Sequence, residues 1–429
     1  MWYRVLADEE IPAMRLNSTP DWYEITLNWC QAPPTVPLVT TVAPVRERQS
    51  LYVSTGACLY AVAAADGTAR WCQQVTLTWG PLTREQLARE EREHPMMSRP
   101  PLPRVGFAAP RVVGGVTGVV YVCVDGYGEW SYTCAFNADD GALRWWTPTD
   151  ARVVATAFMD WAVPLVNDGK DRVVYSGTYA LNAQDGAVLW RTAINTREEG
   201  TLALHALADE TIYASTQRGI YAINAQDGQI RWLYQPDEQT SVSGPPVVSG
   251  RLLYAGTGGS VRNPEKSYFF ALDGATGTEV WRSPNPMSSY IGAVVHDETI
   301  YVSSGDRTLS ALETQSGLPR LRRQHQFASS GSDPATIAND VLYINITSAG
   351  AYALRSENGT VLWRQPLESD LDRAVSFTPS VVLDGAVYLV RIDRRGRGVL
   401  YALDARTGAE CWRWHPSPPS AIGPLAVAQ

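Results

Sequence analysis

The chain has 429 residues, of which 19% are charged and 45% hydrophobic, with a formal net charge of −8. That balance excludes disorder, collagen and a coiled coil, and the negative charge argues against a general binder of nucleic acid or anionic membrane surfaces. There are 15 Trp and 20 Tyr against 7 Phe, so the placement of the aromatic residues is the pattern to follow.

Residues 1–37 come first. They begin Met1-Trp2-Tyr3-Arg4 and lack a basic stretch followed by an apolar one, so no secretory signal is read. No apolar run reaches the ~18–20 residues that span a bilayer. The expectation is a cytoplasmic protein without a membrane span. The run Trp22-Tyr23-Glu24-Ile25-Thr26-Leu27-Asn28-Trp29 sits 23 residues before Tyr52, the spacing that separates Trp190 from Tyr213.

From Tyr52 onward one unit recurs eight times. An apolar pair ends in Tyr, at Tyr52, Tyr121, Tyr175, Tyr213, Tyr254, Tyr301, Tyr343 and Tyr388. An Ala follows, at Ala61, Ala135, Ala180, Ala222, Ala271, Ala311, Ala353 and Ala402. Six residues later comes Gly67, Gly141, Gly186, Gly228, Gly277, Gly317, Gly359 or Gly408. Four residues beyond stands Trp71, Trp145, Trp190, Trp232, Trp281, Trp363 or Trp412, with Leu321 in the sixth copy. Successive glycines lie 74, 45, 42, 49, 40, 42 and 49 residues apart. After the first, that is the period of a four-stranded propeller blade, about 40–50 residues. Asp-Gly between apolar runs is a hairpin signal, because Gly accepts positive φ. The fixed Ala suits close stacking of blades. The fixed Trp offers an apolar face to lay between blades and an N–H to bond across them. The fold class read here is all-β, a single propeller over residues 1–429.

Residues 73–106 form an insertion between the first and second units. Its core, Thr83 to Glu93, starts with a capping Thr and pairs Glu85 with Arg89 at helical spacing, so a short exposed helix is expected. It ends at Pro95. Residues 416–429 hold Ala421 to Val427, which reads as one more first strand. Two closures fit. One is an eight-bladed ring closed by the chain termini. The other is nine-bladed, with a composite blade from both termini and the C-terminal strand innermost.

In blades of alternating strands, the second–third loops share a face with the blade-to-blade connections. Long segments gather on that face: the insertion, Asp125 to Trp130, Gly258 to Lys266, and Arg391 to Gly398. Loops on a rigid scaffold usually carry function. The candidate partner-binding residues are therefore Tyr127, Trp130, Arg262, Lys266, Arg391, Arg394, Arg395 and Arg397. Exposed aromatic residues are typical anchors, and arginines take carboxylates or phosphates in a fork.

The form Ala-x-Asp-x-x-x-Gly-x-x-x-Trp at Ala271, Asp273, Gly277 and Trp281, and at Ala402, Asp404, Gly408 and Trp412, resembles the tryptophan-docking motif of pyrroloquinoline-quinone-like repeat propellers. The resemblance covers about residues 38–415 and implies a propeller usually of eight blades. It implies no single function, because enzymes and binding modules share the repeat.

Catalytic chemistry is sparse. The six cysteines form no Cys-x-x-Cys pair and read as buried thiols of a reducing compartment. The five histidines match no zinc spacing, and no calcium-loop spacing, nucleophile elbow or phosphate-binding glycine loop is present. No catalytic residue, metal site or cofactor is expected. The reading is a non-enzymatic scaffold that presents its decorated face to a protein or peptide partner, with no role for nucleic acid. The alternative is a small-ligand or quinone propeller with oxidoreductase activity, holding pyrroloquinoline quinone and calcium.

Overall fold

The computed structural model describes residues 24–29, 49–55, 58–78, 106–107, 111–113, 118–125, 131–149, 165–167, 172–195, 202–216, 218–236, 241–258, 268–283, 290–304, 308–320, 325–326, 335–346, 350–367, 380–392, 398–416 and 422–427. They form eight antiparallel sheets. The fourth sheet shows the pattern: Ala203–Ala208, Thr211–Ser215, Ile220–Asn224 and Ile230–Tyr234 pair in chain order. The second and third strands are almost wholly buried, while the outermost strand is largely exposed. Burial on both faces follows from sandwiching each sheet between two others. No helix among the described residues is long and apolar enough to cross a membrane.

The turn between the third and fourth strands is built by its own side chains. In the fourth sheet the Gly228 amide donates to the Asn224 carbonyl at 2.9 Å, and Asp227 Oδ1 accepts the Gln229 amide at 3.0 Å. Gly228 has φ 73°. The same turn then receives the previous sheet. Trp190 lies flat on Gly228, so closely that a Cβ there would meet Trp190 Cε3 at 2.5 Å.

The docking is a three-centre arrangement, repeated around the molecule. Tyr52 Oη and Trp71 Nε1 of the first sheet both donate to the Ala138 carbonyl of the second, at 3.0 and 2.9 Å. Tyr175 and Trp190 share the Ala225 carbonyl, at 3.2 and 3.1 Å. Equivalent pairs converge on Ala183, Gly274, Thr314 and Ala405. Tyr388 and Trp412 of the eighth sheet donate to Ala64 of the first, at 3.0 and 3.1 Å. A carbonyl oxygen has two lone pairs, and here both are used. At the sixth-to-seventh joint, Tyr301 donates to the Ser356 carbonyl at 2.9 Å. Leu321, which replaces Trp there, lies outside the described residues. His296 Nε2 and Asp340 Oδ1 sit 2.7 Å apart across the same joint.

The termini settle on one sheet from opposite sides. Ile422–Val427 pairs with Ser50–Thr55 as the innermost strand. Glu24–Trp29 pairs with residues 73–78 of the long strand Ala69–Thr78 on the outer edge. The two terminal strands thus belong to the first sheet and build no ninth one among the described residues. Ala69–Thr78 has ten residues, against seven at most for the outermost strands of the other sheets among the described residues, and its last six pair with the six-residue terminal strand. Residues 73–78, expected in the insertion, belong to the strand Ala69–Thr78, and Gly106–Phe107 pairs with Val119–Asp125. The expected helix from Thr83 to Glu93 lies outside the described residues.

Two outcomes follow. Gly228→Ala combines a forced positive φ with a clash on Trp190, and should cost at least about 2 kcal/mol in urea unfolding. A loss within about 0.5 kcal/mol contradicts the packing. Burial raises the pKa of the docking tyrosines Tyr52, Tyr213, Tyr254, Tyr301 and Tyr343. Their stabilisation is therefore complete below the unfolded phenol pKa of about 10 and lost as pH rises through the folded values. Melting temperature should fall with rising pH above about 10, and unfolding should track phenolate absorbance.

Candidate functional site

The two faces of the molecule are built differently. On one face the chain turns tightly. Asp209 and Glu210 have φ 47° and 59°, and Asn339 and Asp340 have φ 50° and 62°, the paired positive values of a two-residue hairpin turn. On the other face the described strands end in a belt of polar side chains. Thr133 Oγ1 meets Ser176 Oγ at 2.6 Å between the second and third sheets, and Thr149 Oγ1 at 3.2 Å. His205 Nε2 meets Ser215 Oγ at 2.8 Å in the fourth. Thr257 Oγ1 accepts the Tyr268 amide at 3.0 Å in the fifth. Ser303 and Ser304 are buried in the sixth. Asn345 Nδ2 donates to the Val390 carbonyl at 3.4 Å, joining the seventh sheet to the eighth.

Of the residues expected to contact a partner, Tyr127, Trp130, Arg262, Lys266, Arg394, Arg395 and Arg397 lie outside the described residues. Arg391 is described and departs from expectation. It sits in the strand Ala386–Ile392, opposite Val399, and is 2% exposed. Strand alternation turns it inward with Val387 and Leu389, which pack between the seventh and eighth sheets with Tyr401. It is an interior cation rather than a surface contact.

A cluster that the sequence reading missed stands at the junction of the fourth and fifth sheets. Tyr234 ends the strand Ile230–Tyr234. Its hydroxyl donates to Glu279 Oε2 at 2.8 Å. Arg282 forks onto the same carboxylate, Nε to Oε1 at 3.0 Å and Nη2 to Oε2 at 2.8 Å. The Arg282 guanidinium carbon lies 3.7 Å from the centre of the Tyr268 ring. Phe270 lies between the two phenols, 5.1 Å from the Tyr234 ring and 5.6 Å from the Tyr268 ring. Burial, reinforced by the bond to Glu279, drives the Tyr234 pKa well above the ordinary phenol range. Glu279 in turn holds Arg282 firmly charged.

A signal for this cluster was present. The residue before the repeat Ala pairs directly with the residue after the docking Trp: Tyr179 with Arg191, Phe270 with Arg282, Tyr352 with Arg364, and Tyr401 with Arg413. Three of these arginines lie over the facing Tyr ring, at 5.0, 5.5 and 5.5 Å. The fifth sheet differs in placing Phe at the paired position and Tyr two residues earlier.

Among the described residues no three His, Cys, Asp or Glu side chains converge on one point. The strand ends present hydroxyl, amide and guanidinium groups, which do not match the carboxylate-rich donor set of a calcium–quinone centre.

The family described as outer membrane protein assembly factor BamB matches residues 59–267 and 322–428. The solved structure of BamB from Moraxella catarrhalis is similar with a TM-score of 0.56 at 13% identity, over 89% of this chain and 98% of that one. A europium-containing methanol dehydrogenase gives 0.54 at 13% identity, over 76% and 81%. The computationally designed Ika8 protein gives 0.53 at 13% identity, over 72% and 87%. These three likenesses show the fold alone. A serine/threonine-protein kinase, AfsK of Streptomyces griseus, is 30% identical over 187 residues, 42% of this chain. The chain spans 22% of the length of that curated relative.

The inward position of Arg391 makes a testable difference. Arg391→Ala should lower unfolding free energy by about 2–3 kcal/mol, the scale of a buried-site loss rather than a surface one. A change within about 0.5 kcal/mol would return Arg391 to the surface.

Proposed function

The chain belongs to the propeller family described as outer membrane protein assembly factor BamB, and from that premise we propose that it is a non-enzymatic scaffold. In this reading it is a closed eight-bladed ring that presents its elaborated face to a protein or peptide partner. The observation that carries the reading is the contrast between the faces. Short turns with paired positive φ fix one face, while the long loops are expected from the sequence on the other. A ring stitched at successive joints is a rigid support, and rigid supports lower the ordering cost of presenting a binding surface.

A second reading has its own support, the 187-residue likeness to a kinase. Here the propeller is a sensor module whose enzymatic partner is another polypeptide. The oxidoreductase alternative rests on shared fold and lacks a matching donor set among the described residues. Dye reduction with an alcohol after adding pyrroloquinoline quinone and calcium would restore it.

The scaffold reading is tested by cross-linking and affinity recovery in the native host. Deleting residues 83–103 and changing Trp130, Arg394 and Arg395 to Ala should abolish recovery of the wild-type partner. A tight-face variant, Asp185→Asn, should not. Unchanged recovery after the loop changes overturns the proposal. A recovered partner bearing a kinase domain selects the sensor reading.

A further inference from the structure

In the cluster between the fourth and fifth sheets Tyr234, Glu279 and Arg282 bond to one another, and one buried hydroxyl beside them does not. Tyr268 is 7% exposed, and its hydroxyl is buried without a hydrogen-bond partner. A buried hydroxyl with no partner costs stability that Phe at the same place would not. Its neighbours define what it is suited to meet. On one side, a phenol and a guanidinium, Tyr234 and Arg282, jointly hold the Glu279 carboxylate at 2.8 to 3.0 Å. Tyr268 is the second phenol of the same guanidinium, with Arg282 stacked on its ring. The Arg282 side chain is 38% exposed, so the cluster reaches solvent along that side chain. A hydroxyl donor beside a guanidinium, here one already paired with Glu279, favours an anionic acceptor over a neutral one.

We propose that Tyr268 and Arg282 form an anchor point for a carboxylate of the partner peptide, with the Tyr268 hydroxyl donating the recognising hydrogen bond. This rests on the scaffold reading and deepens it by naming the chemistry of the partner. The incoming carboxylate repeats the arrangement that Glu279 already adopts with Tyr234. Arg282 shifts on its exposed side to admit it. A side-chain carboxylate and a free C-terminus share this chemistry.

The test is Tyr268→Phe in the full chain, read in two ways. Removing a hydroxyl without a partner should raise the melting temperature. The same change should weaken a carboxylate ligand by about tenfold, the loss of one charge-assisted hydrogen bond. The probes are three fluorescein-labelled decapeptides: an amidated one alternating Asp and Ser, an otherwise neutral one ending in a free carboxylate, and an amidated Asn–Ser control. Wild type should bind one of the first two above the control, and which one it binds identifies the source. Equal affinity of wild type and Tyr268→Phe, binding of the control as strong as the acids, no binding of any peptide, or a lowered melting temperature each overturns the site. If Tyr268→Phe matches wild type while the loop-deleted protein loses its partner, this site falls and the scaffold reading stands.

Discussion

Everything in the molecule depends on one shared acceptor. At the joints where both residues are described, a Tyr hydroxyl and a Trp indole from one sheet meet on a single backbone carbonyl of the next, their rings 5.7 to 6.1 Å apart. The carbonyl sits three residues before the turn glycine, so the bond and the flat packing of the indole on that glycine fix one another. Without the glycine the indole cannot approach so closely. At the sixth-to-seventh joint, where Leu321 stands in place of Trp, the turn keeps its positive φ at Gly359 and the Tyr301 bond to Ser356 is kept. The acceptor residues are small: Ala64, Ala138, Ala183, Ala225, Gly274, Thr314, Ser356 and Ala405. A large side chain at that turn would crowd the incoming indole.

From this joint the asymmetry of the faces follows. The glycine turn must be tight to receive the indole, and it shares a face with the first–second hairpins. The other face carries no such constraint. There the strands end in hydroxyls, amides and guanidinium groups, and insertions are tolerated without cost to the stitching. The Tyr268 cluster spans the outer part of its junction: Tyr234, Tyr268 and Arg282 stand at strand ends on that face, and Glu279 opens the strand Glu279–Arg282 just after the Gly277 turn.

The repeat was legible because it depends on local spacing. Tyr, Ala, Gly and Trp hold their offsets in each copy, since each marks a fixed point on a four-stranded sheet. The C-terminal segment was legible as one more first strand for the same reason, but its place in the first sheet rather than in a ninth one was not. Nor was the place of the N-terminal strand. Its spacing to Tyr52 equals that of a fourth strand, and nothing local says that the extension of Ala69–Thr78 captures it first. Arg391 was misplaced because a run of arginines reads as a loop, while strand pairing with Val399 carries the first of them inside.

The sequence by itself determined the blade, its internal turns and the identity of the stitching residues, because those rest on contacts within about 20 residues of chain and on fixed backbone angles. Only the tertiary structure decided which carbonyl each Tyr and Trp shares, which sheet takes both termini, and which polar groups end up buried together. Those are contacts between segments 33 to 348 residues apart. They depend on how neighbouring sheets face one another, and that relation is written in no local spacing.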